Sequence, residues 1–262
     1  MTLPLEGVTV VVTRPAAQAR RFATLVQAAG ATPLLLPALE IEPLTLDEDE
    51  RVRLVPDDYD WTVFTSANAV EFAWLHLPRP GRTRVAAVGR GTARALEEHG
   101  IAVQAIPEKS SDSEGLLALA PFVAVRGQRI LILKGRGGRP LLATELARRG
   151  AEVVCGDLYQ RVAAVPDAVA LDALRSACGR PRTVIAITSV DGLSALLGFA
   201  PEADFPQLRD AQLLVPGRRV AAAAREQGWR GPVLVAESAE DGAMFQALVA
   251  PGTASDWPAG AA

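Results

Sequence analysis

Short runs of Val, Ile, Leu and Ala alternate with helical apolar stripes along nearly the whole chain. This alternation confines the fold to the α/β class, with parallel sheets and right-handed crossovers. The strand candidates are residues 8–12, 32–36, 61–64, 84–88, 103–106, 129–133, 152–155, 183–187, 212–215 and 232–235. Their near-continuous apolar content marks strands covered on both faces. Phe22, Leu25, Val26 and Ala29 fall at i, i+3, i+4 and i+7, one stripe of a helix; Ala170, Ala173, Leu174 and Ala177 repeat that spacing behind an Asp167 N-cap. Gly30, Gly100, Gly150 and Gly228 each follow a helical stretch, where a left-handed residue ends the helix. Ten strands in 262 residues predict two five-stranded sheets.

The pattern also repeats. Gly7 and Gly30 match Gly127 and Gly150 at an offset of 120, with VTVVVTR against QRILILK between them, so that Arg14 is the mate of Lys134. FTSANAV matches AITSVDGL, placing Thr65 and Ser66 against Thr188 and Ser189. Gly89, Gly100 and Ser110 match Gly217, Gly228 and Ser238 at a constant offset of 128. Ordered blocks with fixed spacing indicate duplication. Periodicity leaves the domain boundary open. A cut near Arg126 gives one repeat per domain; an interleaved chain would cross near residues 37–43 and 159–166.

Composition narrows the function. The net charge of −3 argues against a general nucleic-acid binder, so an anionic ligand must be gripped by local features. The two cysteines, Cys155 and Cys178, form no C-x-x-C, and His76 and His99 lie far from both, which disfavours a zinc site, a disulfide framework or a histidine triad. Residues 1–7 lack a basic segment and carry Glu6, unlike a signal peptide. The long uncharged stretch at residues 22–39 is broken by Gln27, Gly30, Pro33 and Pro37, unlike a transmembrane helix. A cytoplasmic protein is expected, with a flexible tail at residues 251–262 around Trp257. The turn after the first strand has no glycine, GK is absent, and no acidic residue follows Val12. A dinucleotide fingerprint, a P-loop and a phospho-receiver are therefore excluded, which weighs against an enzyme of nucleotides or sugar phosphates. The acidic run at residues 47–50 reads as a solvated helix start.

In open parallel sheets ligands bind beyond the carboxyl ends of the strands. Those ends read Thr13-Arg14-Pro15, Thr65-Ser66-Ala67-Asn68, Gly89-Arg90-Gly91-Thr92, Lys109-Ser110-Ser111, Lys134-Gly135-Arg136-Gly137-Gly138-Arg139, Thr188-Ser189 and Pro216-Gly217-Arg218-Arg219. Most open a helix, whose free N–H groups suit carboxylates or phosphates, although Ser and Thr there also serve as plain caps. The two lysines, Lys109 and Lys134, both fall on this edge, and Lys134 begins a glycine-rich turn able to form an anion nest. Tyr59 precedes a strand and reads as packing. Tyr159 follows a strand where the chain could cross between domains; on position alone it fits packing more readily than chemistry.

Taken together, VVVTRP, YDWTVFTSANAVEFA, RVAAVGRGTARALEEHG, EKSSDSEGLLAL, RILILKGRGGRPLLATELARRGAEV, DLYQRV and VLVAESAEDGAMFQAL resemble the uroporphyrinogen-III synthase family over residues 8–248. No block is specific alone; their order is. The resemblance implies two flavodoxin-like α/β domains, each with a five-stranded parallel sheet flanked by helices, joined by a two-segment hinge. Residues 1–38 and 167–262 would form domain 1, residues 43–162 domain 2, and residues 39–42 and 163–166 the hinge segments. It implies a cyclising hydro-lyase that closes hydroxymethylbilane, a linear tetrapyrrole with eight carboxylates, inverting ring D and releasing water. No metal or cofactor, nucleic acid or membrane is expected; a monomer is, with transient contact to the enzyme that supplies its substrate. Tyr159 matches the family tyrosine and is the candidate general acid. Thr65, Ser66, Asn68, Gly89, Thr92, Thr188 and Ser189 match its ligand turns. Arg14, Lys134, Gly135, Gly217 and Arg218 are further candidate substrate contacts, from their places on the binding edge.

The second half departs from the family pattern. Arg219 and Val220 stand where threonines are usual, and Val190-Asp191 follow the second T-S turn in place of Pro. These changes leave an alternative, a divergent non-catalytic two-lobed protein that binds or senses a tetrapyrrole or polycarboxylate.

Overall fold

The computed structural model describes residues 3–108 and 112–250. Lys109, Ser110 and Ser111, and the tail at residues 251–262, lie outside the described residues. The chain runs through β1 (Thr9–Val12), α1 (Ala16–Ala28), β2 (Thr32–Leu35), β3 (Leu39–Pro43), α2 (Glu48–Arg53), β4 (Trp61–Phe64), α3 (Ala67–Ala73), β5 (Arg84–Ala87) and α4 (Arg90–Glu98). It continues through α5 (Ser113–Ala118), α6 (Ala120–Val123), β6 (Arg129–Gly135), α7 (Leu141–Arg148) and β7 (Glu152–Ala163). It ends with α8 (Ala168–Cys178), β8 (Thr183–Ala186), α9 (Val190–Phe199), β9 (Gln212–Pro216), α10 (Gly217–Glu226), β10 (Val233–Ala236) and α11 (Asp241–Val249). Among the described residues no helix is long and apolar enough to cross a membrane.

The chain forms two compact units, Met1–Glu40 with Val162–Ala262, and Ile41–Arg161. In the first unit the sheet order is β10-β9-β8-β1-β2, with every neighbouring pair parallel. Counted along that unit the order is 2-1-3-4-5, which reverses direction between β1 and β8. Strand β1 shows why its sequence is apolar throughout. Val10 and Val12 pack with Phe22 and Val26 of α1, while Val11 packs with Leu174 of α8 and Leu193 of α9. Successive strand residues point to opposite faces, and here both faces are covered.

In the second unit the order is β3-β7-β6-β4-β5. Strands β7, β6, β4 and β5 are parallel. Matching β6, β7, β4 and β5 to β1, β2, β8 and β9, as the sequence repeat does, gives the same spatial order in both sheets. The reversal point of the second unit therefore lies between β6 and β4.

Two differences from the sequence reading concern the edges of this sheet. Residues 103–106 do not form a strand; only the bridge Ala86–Ala105 remains. The Gln104 side chain accepts the Val85 N–H at 2.6 Å, so a side chain takes a donor that a ladder would use. The fifth strand is instead β3, at a segment read as a crossing. The bonds Leu44 N–H to Leu158 O and Ala164 N–H to Ala38 O run with opposite chain sense, so β3 lies antiparallel to β7. The sheet is therefore parallel with one antiparallel edge strand, a common variation of α/β sheets. β7 is also far longer than residues 152–155, because its distal half pairs with β3.

The local signals act where they are written. Asp167 caps α8 by accepting from Ala170 N at 2.8 Å, and Asp47 and Glu50 form a reciprocal capping box on α2. Gly30, with φ of 97°, ends α1 in the left-handed region; a side chain there would also meet Leu3 at 2.8 Å.

Arg14 is turned inward. It is 9% exposed, pairs with Asp241 at the head of α11, donates to Ala239 O at 2.7 Å and lies over the Phe22 ring. Burial pulls the guanidinium below its ordinary range, and Asp241 opposes this. Replacing Asp241 by Asn leaves a nearly buried cation without its counter-charge. Asp241→Asn is expected to destabilise the chain by about 2–3 kcal/mol, and Arg14→Met in the same chain to restore much of the loss. Urea unfolding midpoints of the single and double variants check this.

Candidate active site

The reversal point of a parallel sheet is where two neighbouring crossovers leave on opposite faces and open a crevice at the carboxyl edge. In the second unit a cavity of 530 Å³ lies there. Its wall contains Thr65 and Ser66 after β4, Lys134, Gly135 and Arg139 in and after β6, and Tyr159 on β7. The structure thus brings five of the sequence candidates together in one cavity wall: Thr65, Ser66, Lys134, Gly135 and Tyr159. Val88, Ile132, Leu142 and Cys155 give the cavity an apolar part.

Tyr159 owes its direction to a fault in the ladder. Lys134 pairs with Asp157, but the next residue, Gly135, pairs with Tyr159, so Leu158 is an extra residue on β7. Upstream of it the strand alternates: Val154 joins the core on one face and Cys155 the core on the other. After the bulge Leu158 and Tyr159 both join the first of these cores. A bulge shifts the phase of every later side chain, and such faults are over-represented beside active sites, where they re-aim one residue.

The phenol is then held from three sides. Its oxygen lies 2.9 Å from Ser66 Oγ, either atom being able to donate. Ser66 also caps α3 by accepting from Ala69 N at 3.1 Å. The ring lies 5.7 Å from that of Phe72, and Gly135 sits against it so closely that a Cβ there would be 2.5 Å from Cζ. Tyr159 is only 2% exposed. Ser66, read from sequence as a substrate contact, is thus also the hydrogen-bond partner of the phenol.

The cations are mostly committed. Lys134 Nζ is 2.7 Å from Asp157 and donates to the carbonyls of Gly135 and Gly137, both at 3.3 Å. Arg139 makes a two-pronged pair with Glu114 at 2.7 and 3.0 Å. Like its repeat mate Arg14, Lys134 is neutralised by an acid of its own unit. Cys155 is half-buried; burial pushes its thiol above the ordinary range, and Lys134 opposes this. Cys178, the buried last residue of α8, is pushed up to about 11 by desolvation.

Asn68, Gly89 and Thr92 are not in the cavity wall. Asn68 lies in the first turn of α3, and Gly89 and Thr92 are buried at the head of α4. In the first unit Arg14, Thr188, Ser189, Gly217 and Arg218 follow β1, β8 and β9, three adjacent strands, and so share one carboxyl edge. Ser189 caps α9 through Gly192 N at 3.0 Å. Arg218 and Arg219 are exposed at the head of α10, whose first turn carries no acid. Asp191 is exposed on α9. The sequence reading had Arg139 on the binding edge but missed Cys155 and Arg161 as wall residues. It ended the strand at Cys155; with β7 followed to Ala163, Arg161 falls two residues past Tyr159, on its face of the strand.

These features define a two-unit α/β protein with a phenol-lined cavity at the reversal point of a parallel sheet. The family described as "Uroporphyrinogen-III synthase HemD" matches residues 20–246. The uroporphyrinogen-III synthase of Salmonella typhimurium is 34% identical over 250 residues, 91% of this chain and 99% of that protein; its Escherichia coli counterpart is 33% identical over the same shares. Among solved structures, a mutant uroporphyrinogen III synthase of Thermus thermophilus is 26% identical with a TM-score of 0.56, covering 92% of this chain and 96% of that one. The Helicobacter pylori uroporphyrinogen-III synthetase, at 18% identity and a TM-score of 0.62, covers 91% and 96% and shares the fold. The chain belongs to the uroporphyrinogen-III synthase family.

Two results are expected from the packing. Gly135→Ala must displace the Tyr159 ring and is expected to destabilise the chain by about 1–3 kcal/mol, read from urea unfolding. Iodoacetamide is expected to modify Cys155 slowly at neutral pH and faster as pH rises through the raised thiol pKa, while Cys178 stays unmodified; mass spectrometry of the labelled chain checks the order.

Proposed function

We propose that the chain is a uroporphyrinogen-III synthase, which closes hydroxymethylbilane with inversion of ring D and loss of water. Membership of the family over nearly the whole chain supports the activity. The aimed phenol of Tyr159 in the reversal-point cavity is the observation that carries the mechanism. The two units are read as flavodoxin-like lobes, residues 1–38 with 167–262 and 43–162, joined by a two-segment hinge.

The reaction begins when the substrate hydroxyl departs as water, which requires a proton. Tyr159 is the group for this. When Ser66 donates to the phenol oxygen, the Tyr159 proton is free for the leaving hydroxyl, and Ser66 keeps a lone pair for the Ala69 N–H. Ser66 is then a positioning residue as well as a helix cap. Burial of the phenol keeps bulk water from competing for that bond. Thr65, Asn68, Gly89, Thr92, Lys134 and Gly135 in one unit, and Arg14, Thr188, Ser189, Gly217 and Arg218 in the other, are read as substrate contacts. The commitments of Arg14 and Lys134 to Asp241 and Asp157 make those two supports of the binding loops more than free cations. Holding a flexible tetrapyrrole with its end rings together supplies the rest; orientation of this kind is worth up to roughly 7–11 kcal/mol.

The test is conversion of freshly generated hydroxymethylbilane, with oxidised products separated by chromatography. Predominant type III uroporphyrin is expected. Type I alone, the spontaneous product, would remove the synthase assignment and favour a binding protein. Tyr159→Phe, which keeps the ring and deletes the hydroxyl, is expected to lower kcat roughly a hundredfold while leaving the unfolding midpoint nearly unchanged. Unaltered type III formation would take the phenol out of the mechanism.

A further inference from the structure

Three cations line the Tyr159 cavity: Lys134, Arg139 and Arg161. The first is tied to Asp157 and two carbonyls, the second to both oxygens of Glu114. The one acid among the described wall residues, Asp112, caps α5 by accepting from Gly115 N at 2.8 Å. Arg161 differs from the other two cations. Exposed like Arg139, it has no ion pair among the described residues, and its guanidinium carbon lies 5.7 Å from the centroid of the Tyr159 ring.

We propose that Arg161 binds a carboxylate arm of the substrate in the Tyr159 cavity, and so fixes which part of the tetrapyrrole lies beside the phenol. This rests on the synthase reading of the same site. An aromatic ring under a guanidinium leaves the fork of N–H donors free to face outward, and that fork matches a carboxylate with two parallel hydrogen bonds. The substrate class carries carboxylates on every ring, so an unneutralised cation in the wall has an obvious complement. The bulge strengthens the link, because it sets the phase of both Tyr159 and Arg161. The acid and the anchor are therefore aimed by one backbone irregularity.

The test compares Arg161→Gln and Arg161→Lys with Arg94→Gln, which removes an exposed cation of α4 outside the cavity wall. Two quantities are read, the KM and kcat for hydroxymethylbilane and the Kd for uroporphyrin, the oxidised octacarboxylate. Arg161→Gln is expected to raise KM and Kd by about tenfold, with kcat within about threefold of the parent. Arg161→Lys is expected to recover part of the loss, since it keeps the charge but not the fork. Arg94→Gln is expected to leave both unchanged. A KM and Kd for Arg161→Gln within about twofold of the parent would overturn the proposal. A fall in kcat with unchanged KM and Kd would also overturn it, pointing to action through Tyr159. Should the parent chain form no type III product, the synthase reading fails separately, and the uroporphyrin Kd still decides whether Arg161 is a carboxylate anchor. A misfolded Arg161→Gln, seen by circular dichroism, transfers the decision to Arg161→Lys, whose Kd must then exceed that of the parent.

Discussion

Parallel pairing sends the carboxyl end of every strand in a sheet to the same edge, and most of the chemistry of this chain follows from that constraint. A strand that ends buried must hand over to a loop rich in polar and small residues, and the loop must start a helix. Thr65-Ser66, Gly135–Arg139 and Thr188-Ser189 are such handovers. At the reversal point the helices on either side diverge, so the loops there do not cover one another. The second unit uses this opening as its cavity. The first unit has the same strand order, but its β1 loop is occupied by the Arg14–Asp241 pair.

The fold class, nine of the ten strands and the helix ends were legible because each rests on a local rule. Apolar runs of strand length mark buried strands. Gly30 and Gly150 mark helix ends that need a positive φ, and Asp167 marks a cap. The edge of the second sheet was not legible. Residues 103–106 have strand composition, yet the Gln104 side chain took over a ladder donor. Residues 39–43 read as a crossing because their pairing partner, the far half of β7, lies more than a hundred residues away in sequence. Long-range pairing leaves little local trace.

The site was legible in its parts and not in its assembly. Polar strand ends identified Thr65, Ser66, Lys134 and Gly135, and the family resemblance identified Tyr159. Periodicity could not have given the direction of Tyr159, because strict alternation would put it with Cys155 on the opposite face. Only the extra residue at Leu158 changes that phase. Charge counting also misled in one respect. Lys134 and Arg14 stood out as basic residues at strand ends, but the acids that neutralise them, Asp157 and Asp241, are distant in sequence or on another element. A cation can be assigned to a ligand only when its internal partners are known.

The interleaved connectivity bears on how the protein is made. The second unit is one continuous segment, Ile41–Arg161, inserted within the first. Its four parallel strands can pair as soon as that segment has left the ribosome. The first unit must wait: Thr9 of β1 lies opposite Thr183 of β8, so the central strand stays half-unpaired until the whole inserted unit and α8 have been made. During that interval Val10, Val11 and Val12 form an apolar strand with one open edge, the kind of surface that captures neighbouring chains. The nascent protein thus completes its inserted unit before the centre of the enclosing sheet can close, and β9 and β10 are added only after that.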